Sequence, residues 1–380
     1  MACEARDARL LLVTPCDPGN CHIYFSVQRR ALPSAIALAR RTGRTLVLPP
    51  FEWYDDQAQM FANKFIQTEA GRTPYFRRWS ELFDLAPLRE RMDVVEFAEL
   101  LSDPSSTVLQ IDRMIHNHGA QPSLTAPRLP GEVLSGPLFA EKRCKPSRHG
   151  LMANLSGWSE SVQTLRGELY GQAVEVGEAR CGVLNLVSRQ HTFSSAAADV
   201  GRWLGDVRLA AIFNVGHHSH VRIDANDPFY SEALELSLRL LRPHPELAAE
   251  AARFVAGLGV EKRFIALHWR HGDWVDYELL VKPQSVVRQV NRAQMKLGCP
   301  SCVVFLMTNC RNASAMAELA ELVPTLVSYV PWNERFAEEG PRLVIEQTIA
   351  AQAAEFVGSP RSAVTQFIES MRSHPFYLEH

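Results

Sequence analysis

Short apolar runs alternate with stretches of helical spacing along much of the chain. Residues 9–14 (RLLLVT) and 45–48 (TLVL) are apolar runs that stop at prolines, and each predicts a buried strand. Residues 31–41 repeat apolar positions at helical spacing, and Gly43 follows them as a plausible helix end. A strand, a helix and a strand at this spacing predict a βαβ unit. Residues 207–214 predict a further strand.

The alternation is clearest in the C-terminal part of the chain. The pattern predicts helices at 243–257, 285–296, 313–322, 342–354 and 362–373, and strands at 263–268, 302–307, 325–330 and 355–357. Strands that alternate with helices predict a parallel sheet with helices on both faces. Residues 51–205 carry no comparably regular pattern.

Composition and charge exclude several classes of protein. The chain has 380 residues, of which 46% are hydrophobic, enough to fill folded cores and to exclude a disordered or fibrous protein. At roughly 150 residues per domain, two domains are expected. The 40 Lys and Arg residues against 42 Asp and Glu give a net charge of −2, which argues against nucleic-acid binding. No apolar run reaches the roughly 18–20 residues that cross a bilayer, so no membrane span is expected.

The cysteines and the N-terminus bear on the compartment. The eight cysteines are even in number and widely scattered, which suits disulfides without proving them. Cys299 and Cys302 form the one C-x-x-C pair, for which a local disulfide or two inert thiols is favoured over a redox role. Residues 1–10 lack the basic start and apolar stretch of a secretory signal. The protein is therefore either cytosolic, or its sequence begins after a signal that was removed or missed.

Polar residues stand where two predicted strands end, which is where parallel sheets bind ligands. Arg270 follows the strand at 263–268 and offers a planar charged fork to a phosphate, with histidine neighbours as further donors. Residues 358–362 open the last helix, where backbone N–H groups favour an anion. Together the two segments predict a cradle for a diphosphate. The ordinary alternatives are a surface ion pair for the first and a helix N-cap for the second.

Two carboxylates are candidates for further roles. Asp17 lies in a loop after the first strand, where it can act as a general base if it faces an acceptor hydroxyl; an ordinary Asp-Pro-Gly turn is the favoured alternative. Glu346 lies in the helix at 342–354 and can accept hydrogen bonds from guanine or from ribose hydroxyls. A solvated helix face is its ordinary alternative, and is preferred on the residues alone.

Several motifs are absent. The sequence has no Asp-x-Asp triplet that would hold a nucleotide diphosphate through a metal, no phosphate loop and no dinucleotide fingerprint. It also has no nucleophile elbow of the serine hydrolases. Triphosphate hydrolysis, dinucleotide chemistry and serine-hydrolase chemistry are therefore unsupported.

The motifs resemble those of the protein O-fucosyltransferases, and most closely the type that acts on thrombospondin type 1 repeats. The family's Leu-Val-Leu-Pro-Pro matches residues 46–50, and its Trp-Ser-Glu-Phe-Phe-Asp-Leu matches residues 79–85 at all but one position. Its His-x-Arg-x-x-Asp-Phe corresponds to residues 268–274 (HWRHGDW), and segments from 322 to 358 follow in the family's order. The resemblance thus spans both halves of the chain.

The resemblance implies a fold and an activity. The fold class is α/β, with two Rossmann-like domains facing a cleft, the GT-B arrangement. We place an N-terminal, acceptor-side domain at residues 1–229 and a C-terminal, GDP-sugar-binding domain at residues 230–380. The implied reaction is inverting transfer of fucose from GDP-fucose to a Ser or Thr hydroxyl of a folded, disulfide-rich protein repeat. It takes place in the endoplasmic reticulum lumen, with no metal or other cofactor.

The resemblance also implies site residues. The predicted contacts with GDP-fucose are Gly19, Asn20, His268, Trp269, Arg270, Glu346, Ser362 and Ala363. Glu346 corresponds to an Asp of the family that precedes a Gln in the late helix, and is one methylene longer. Asp17 and Arg270 are the predicted catalytic residues, the first to take the acceptor proton and the second to neutralise the β-phosphate of departing GDP.

Three departures from the family pattern leave alternatives open. The sequence has Asn309 and Ala363 where the family has Asp and Thr, and Asp17 stands in a loop where the family has a catalytic Glu. These departures motivate a second hypothesis, a weakly active or inactive module that binds the nucleotide sugar or a glycoprotein. The absent signal peptide motivates a third, a GT-B transferase with a different acceptor.

Overall fold

The computed structural model describes residues 8–15, 25–29, 31–53, 75–101, 108–117, 139–141, 165–170, 172–184, 200–202, 204–213, 228–239, 241–260, 263–271, 281–360 and 362–373. By their contacts these residues form two units. Unit 1 holds the described residues between 8 and 79 and between 85 and 239. Unit 2 holds residues 80–84 and the described residues from 241 onwards.

The strands are short apart from two in unit 1. In chain order they are β1 (Leu10–Val13), β2 (Thr45–Leu48), β3 (Phe51–Trp53), β4 (Tyr75–Arg77), β5 (Phe83–Asp84), β6 (Val94–Glu96), β7 (Leu109–Asn117), β8 (Phe139–Glu141), β9 (Leu165–Leu169), β10 (Gln172–Leu184), β11 (Leu209–Phe213), β12 (Arg242–Pro243), β13 (Ile265–Trp269), β14 (Val304–Thr308), β15 (Leu326–Ser328) and β16 (Glu355–Val357).

The longer helices are concentrated in unit 2. In chain order the α-helices are α1 (Phe25–Arg29), α2 (Leu32–Thr42), α3 (Ala86–Arg89), α4 (Phe97–Leu100), α5 (Pro228–Arg239), α6 (Pro245–Gly257), α7 (Pro283–Leu297), α8 (Ala313–Leu322), α9 (Glu334–Ala337), α10 (Glu339–Gln352) and α11 (Ala363–Arg372).

Unit 1 is built on one large sheet with the strand order β6-β2-β1-β11-β7-β10-β8, and β9 also pairs with β10. Neighbouring strands are parallel along the sheet from β6 through β2, β1, β11 and β7 to β10. Strands β8 and β9 both run antiparallel to β10. All of β1 is buried, as expected for a central strand of a parallel sheet. Helix α2 ends at Gly43, whose left-handed conformation (φ 59°) forms the C-cap. The predicted βαβ unit is therefore confirmed as β1–α2–β2.

Unit 2 contains a second sheet with the strand order β15-β14-β13-β16, in which all neighbours are parallel. Successive side chains of β13 point to opposite faces of this sheet. Ile265, Leu267 and Trp269 pack in one hydrophobic core with residues of α7 and α8. The alternate residue His268 contacts Thr365 of α11. The predicted parallel sheet between helices is confirmed.

The domain boundary predicted between residues 229 and 230 falls inside a helix. Helix α5 packs against α2 of unit 1, where Glu232 forms an ion pair with Arg40 at 2.6 Å. The assignment of an acceptor role to one domain and a donor role to the other stays a prediction. Among the helices in the described ranges, none combines the length and apolar character of a membrane span.

Candidate functional site

The strand order of unit 2 contains a topological switch point. The chain runs outward from β13 through β14 to β15, and then returns to add β16 on the other side of β13. Ligands of open parallel sheets bind beyond the carboxyl ends of the strands at such a point, because the connecting segments there diverge. Arg270 follows β13 and Gly358 follows β16, so both predicted segments border the switch point.

Ser359 joins the ends of these two strands. Its hydroxyl donates to the carbonyl of His268 at 2.9 Å and accepts the backbone N–H of Arg270 at 2.8 Å. One buried hydroxyl thus satisfies the backbone groups on both sides of Trp269. The backbone that carries the predicted donor-binding His and Arg is fixed as a result.

A second pair of side chains fixes the same backbone from β14. The Thr308 hydroxyl donates to the carbonyl of Trp269 at 2.6 Å, and the Asn309 side-chain oxygen accepts the N–H of His271 at 2.9 Å. An amide oxygen serves this contact as a carboxylate would. The departure at Asn309 therefore keeps an oxygen where the backbone of the strand end requires one.

The imidazole of His268 is buried and neutral. The residue is 7% exposed, and its Nδ1 lies 2.8 Å from the hydroxyl oxygen of Thr365. Burial, together with the nearby charge of Arg270, lowers the pKa of His268 to about 3. A group with this pKa is a poor proton acceptor at neutral pH, so His268 is suited to hydrogen bonding rather than to general base catalysis.

Trp269 points away from His268. Its side chain is 1% exposed, lies in the core beside α7 and α8, and donates its indole N–H to the carbonyl of Val281 at 2.9 Å. Its ring meets that of His271 edge to face at 4.9 Å. The predicted contact of Trp269 with GDP-fucose therefore does not use its side chain, because that side chain fills the core.

Ser362 has an unusual hydroxyl. The residue is 0% exposed and occupies the N-cap position of α11, but its side chain makes no capping bond. Within the described ranges its hydroxyl oxygen has no hydrogen-bond partner. An unsatisfied buried hydroxyl is costly, and a ligand oxygen would satisfy it. The first N–H groups of a helix also lack helical partners, so Ala363, the first residue of α11, belongs to the same anion-favouring end.

Glu346 lies in α10 and is 9% exposed. Arg342, one turn earlier, donates to one of its carboxylate oxygens at 2.9 Å. Burial raises the pKa of Glu346, and the charge and hydrogen bond of Arg342 oppose that shift. The ordinary alternative of a solvated helix face is wrong, because this carboxylate is buried and paired.

The predicted general base is not among the groups described. Asp17, Gly19 and Asn20 lie outside the described residues. Their predicted roles stay predictions. In the part of the chain that the structure does describe, no three His, Cys, Asp or Glu side chains are grouped so that they could hold a metal ion.

Gly358 has a packing reason to be glycine. A Cβ atom there would lie 3.0 Å from the hydroxyl oxygen of Thr365 and closer still to its methyl carbon. It would also lie 3.0 Å from the ring of Phe356.

Sequence reasoning did not single out Thr365. The signal available was a threonine in the first turn of a helix that begins shortly after a glycine.

Gly358→Ala is expected to lower the free energy of unfolding by about 1–3 kcal/mol, because the added methyl overpacks a rigid contact. The second substitution Thr365→Ser removes the methyl carbon that clashes, so the double variant is expected to recover part of the loss. Chemical denaturation of the four proteins of this cycle measures the coupling. Strict additivity of the two substitutions would contradict the close approach.

A family model described as GDP-fucose protein O-fucosyltransferase matches residues 24–374. The chain belongs to this family. The crystal structure of POFUT1 in complex with GDP has the same fold, with a TM-score of 0.59 and 14% identity over 97% of this chain and 95% of that one. The crystal structure of POFUT1 in complex with GDP-fucose gives a TM-score of 0.57 and 15% identity over the same shares. No curated protein sequence matches significantly.

Membership of the O-fucosyltransferase family confirms the resemblance inferred from the motifs. The α/β fold class of GT-B type is confirmed by the likeness to POFUT1 along nearly the whole chain. The expectation of a glycosyltransferase is likewise confirmed. The site residues stay predictions, since a likeness at this level of identity speaks for the fold alone.

Proposed function

We propose that this O-fucosyltransferase transfers fucose from GDP-fucose to a Ser or Thr hydroxyl of a folded, disulfide-rich protein repeat of the thrombospondin type 1 kind, with inversion at the anomeric carbon. One observation carries the donor part of the proposal. At the switch point of unit 2, Arg270 and His268 border a helix N-terminus, where the hydroxyl of Ser362 is buried and has no hydrogen-bond partner among the described residues. The solved structures of POFUT1 with GDP and with GDP-fucose support the same donor.

The diphosphate fits the switch point on chemical grounds. Its oxygens carry negative charge and only accept hydrogen bonds. The guanidinium of Arg270 supplies charge and a fork of donors, and the Ser362 hydroxyl with the first N–H groups of α11 supplies neutral donors. The missing hydroxyl of Ala363 removes one side-chain donor but leaves its backbone N–H.

The guanine base fits Glu346. A carboxylate accepts hydrogen bonds from the N1–H and the N2 amino group of guanine, and adenine offers no such pair of donors on that edge. Arg342 holds one carboxylate oxygen and favours the ionised form against the effect of burial. In its ionised form, a buried carboxylate is a stronger and more selective hydrogen-bond acceptor for the base than a solvated one.

In the transfer step, the acceptor oxygen attacks the anomeric carbon from the face opposite GDP. The new carbon–oxygen bond forms as the bond to the β-phosphate oxygen breaks, and that oxygen leaves with the electron pair. Arg270 neutralises the charge that builds there, which is electrostatic stabilisation of the transition state. The acceptor proton passes to Asp17 in this scheme. No metal ion is required.

A panel of GDP- and UDP-sugars, incubated with a folded thrombospondin type 1 repeat and followed by intact-mass spectrometry, tests the proposal. GDP-fucose is expected to add one deoxyhexose, with unchanged yield in EDTA. Calorimetry with GDP in parallel separates the rivals. Tight GDP binding without transfer to any acceptor favours the binding module, and transfer to another acceptor alone contradicts the proposed repeat.

The endoplasmic reticulum lumen is the proposed compartment. Cys299 and Cys302 are joined in a disulfide just after the end of α7, with their Cα atoms 5.3 Å apart. Such a bond supports an oxidising compartment, since cytosolic thiols are mostly kept reduced. Free thiols at both cysteines in protein purified without reductant would argue for the cytosol.

A further inference from the structure

The neutral imidazole of His268 has one N–H, and its position decides what the ring can bind. With the hydrogen on Nε2, that nitrogen is a donor and Nδ1 is an acceptor; with the hydrogen on Nδ1, the roles are reversed. Nδ1 is engaged with the hydroxyl of Thr365 at 2.8 Å. A hydroxyl both donates and accepts, so this contact is compatible with either form until a ligand is considered.

A diphosphate removes the ambiguity. Its oxygens accept hydrogen bonds and cannot donate them, so a neutral ring binds one only through Nε2–H. Nδ1 then carries a lone pair and requires a donor, and in the described part of the chain Thr365 is the side chain within hydrogen-bond reach of it. We propose that Thr365 is a positioning residue whose hydroxyl donates to Nδ1 of His268 and holds the ring in the Nε2–H tautomer that hydrogen-bonds the diphosphate of the donor. The binding part of this inference rests on the proposed function.

An imidazolium would donate from both nitrogens, but the site disfavours it. The ring is buried, and the charge of Arg270 lies close enough to oppose a second cation. The neutral ring of His268 therefore donates one hydrogen bond without carrying a charge. The hydrogen-bond partner of Nδ1 determines which tautomer the ring adopts.

The surroundings of Thr365 are built around this contact. Thr365 is itself buried, and Gly358 leaves the space that its side chain occupies. Ser359 fixes the backbone on both sides of Trp269, which sets the position of the imidazole relative to α11. Ring and hydroxyl are thus preorganised before any ligand arrives.

Nuclear magnetic resonance of ligand-free protein labelled with ¹⁵N-histidine tests the tautomer directly. The chain has 13 histidines, and loss of one set of signals in His268→Asn assigns the ring. Wild-type protein is expected to show an unprotonated Nδ1 and a protonated Nε2, with no titration between about pH 5 and 8 because of the low pKa. The opposite tautomer, or a titrating ring, would overturn the proposal before any change is made at Thr365.

Thr365→Val keeps the shape of the side chain and removes the donor. We expect the Nδ1–H form to gain population and the Kd for GDP to rise roughly tenfold, the effect of losing one well-placed hydrogen bond to a charged group. Thr365→Ser retains the hydroxyl and is expected to restore both readouts. Thr42→Val is the matched control, since Thr42 bonds only carbonyls of its own helix, Leu38 at 2.8 Å and Ala39 at 3.3 Å.

The two proposals fail separately. If wild-type protein binds no GDP, the proposed function is wrong, while the ligand-free spectra still decide whether Thr365 sets the tautomer. If GDP binds but Thr365→Val leaves tautomer and affinity unchanged, the role of Thr365 is wrong. Equal weakening by Thr365→Val and Thr365→Ser would also contradict it, because that pattern reports packing rather than a hydrogen bond.

Discussion

Arg270→Ala is expected to lower kcat for fucose transfer by roughly 10²–10³, the usual effect of removing one preorganised donor from a developing anion. Departing GDP concentrates charge on the β-phosphate, and the guanidinium is the permanently charged donor that the proposal assigns to it. The fold is expected to survive, because the backbone N–H of Arg270 bonds Ser359 whatever the side chain. Initial rates with a folded thrombospondin repeat, beside a thermal melt, measure both.

Two further variants separate charge, geometry and general electrostatics. Arg270→Lys keeps the charge but loses the planar fork, and is expected to fall between wild type and alanine. Arg288→Ala removes the same charge from an exposed position on α7, where the side chain bonds Ser285 at 2.7 Å, and is expected to transfer fucose normally. Wild-type kcat in Arg270→Ala would remove the central residue from the proposed mechanism.

Local pattern was sufficient to predict the four-stranded sheet of unit 2 and the longer helices of that unit. The predicted strand at 263–268 is β13 (Ile265–Trp269), and the predicted helix at 313–322 is α8 (Ala313–Leu322). Each of these predicted elements is a short apolar run or an amphipathic helix between clear stop signals, so periodicity identifies it. Parallel pairing then follows from the alternation, since each crossover helix returns the chain in the same direction.

Periodicity did not identify the elements within residues 51–205, and the strand β10 shows a physical reason. Strand β10 (Gln172–Leu184) carries glutamates and glycines among its apolar residues, because it pairs with β7 on one edge and with β8 and β9 along the other. Val174 and Val176 of β10 are buried, but the same alternation next reaches Glu178, which is only partly buried. No single period then describes it.

The sequence could predict which residues follow the strand ends, but not which of those ends lie side by side. Arg270 and the segment after Gly358 were found because polar residues after apolar runs are visible in sequence. Strand β13 pairs with β16, and this pairing brings Ser359 to the carbonyl of His268 and Thr365 to its ring. Strand pairing is tertiary structure, which no local sequence pattern encodes. The orientation of Trp269, by contrast, does follow from local structure. Alternate side chains of a strand point to opposite faces of the sheet, so the Trp269 side chain lies on the face opposite His268.

Glu346→Gln is expected to raise the Kd for GDP roughly 10- to 100-fold, because a carboxylate that accepts from guanine is replaced by an amide that presents one acceptor and one donor. The preference for GDP over inosine diphosphate, which lacks the N2 amino group, is expected to shrink at the same time. The fold should tolerate the change, since Arg342 stays half exposed and keeps its solvation. Calorimetry measures the Kd values for GDP and for inosine diphosphate. An equal loss of affinity for both nucleotides would contradict a contact with the N2 amino group.

Glu346→Asp and pH provide the controls. The shorter acid is the residue that the family resemblance implies at this position, so it is expected to retain most of the affinity. Only the ionised carboxylate of Glu346 accepts both hydrogen bonds from guanine. Because burial raises the pKa of Glu346, its protonation, and with it the loss of binding, begins at a higher pH than for an ordinary glutamate. The affinity of wild-type protein for GDP-fucose, whose esterified phosphates do not titrate in this range, should therefore fall as the solution is acidified from pH 7. Glu346→Gln has no carboxylate to protonate, so its weaker binding should lack this component; an equally steep fall in both proteins would place the titrating group elsewhere.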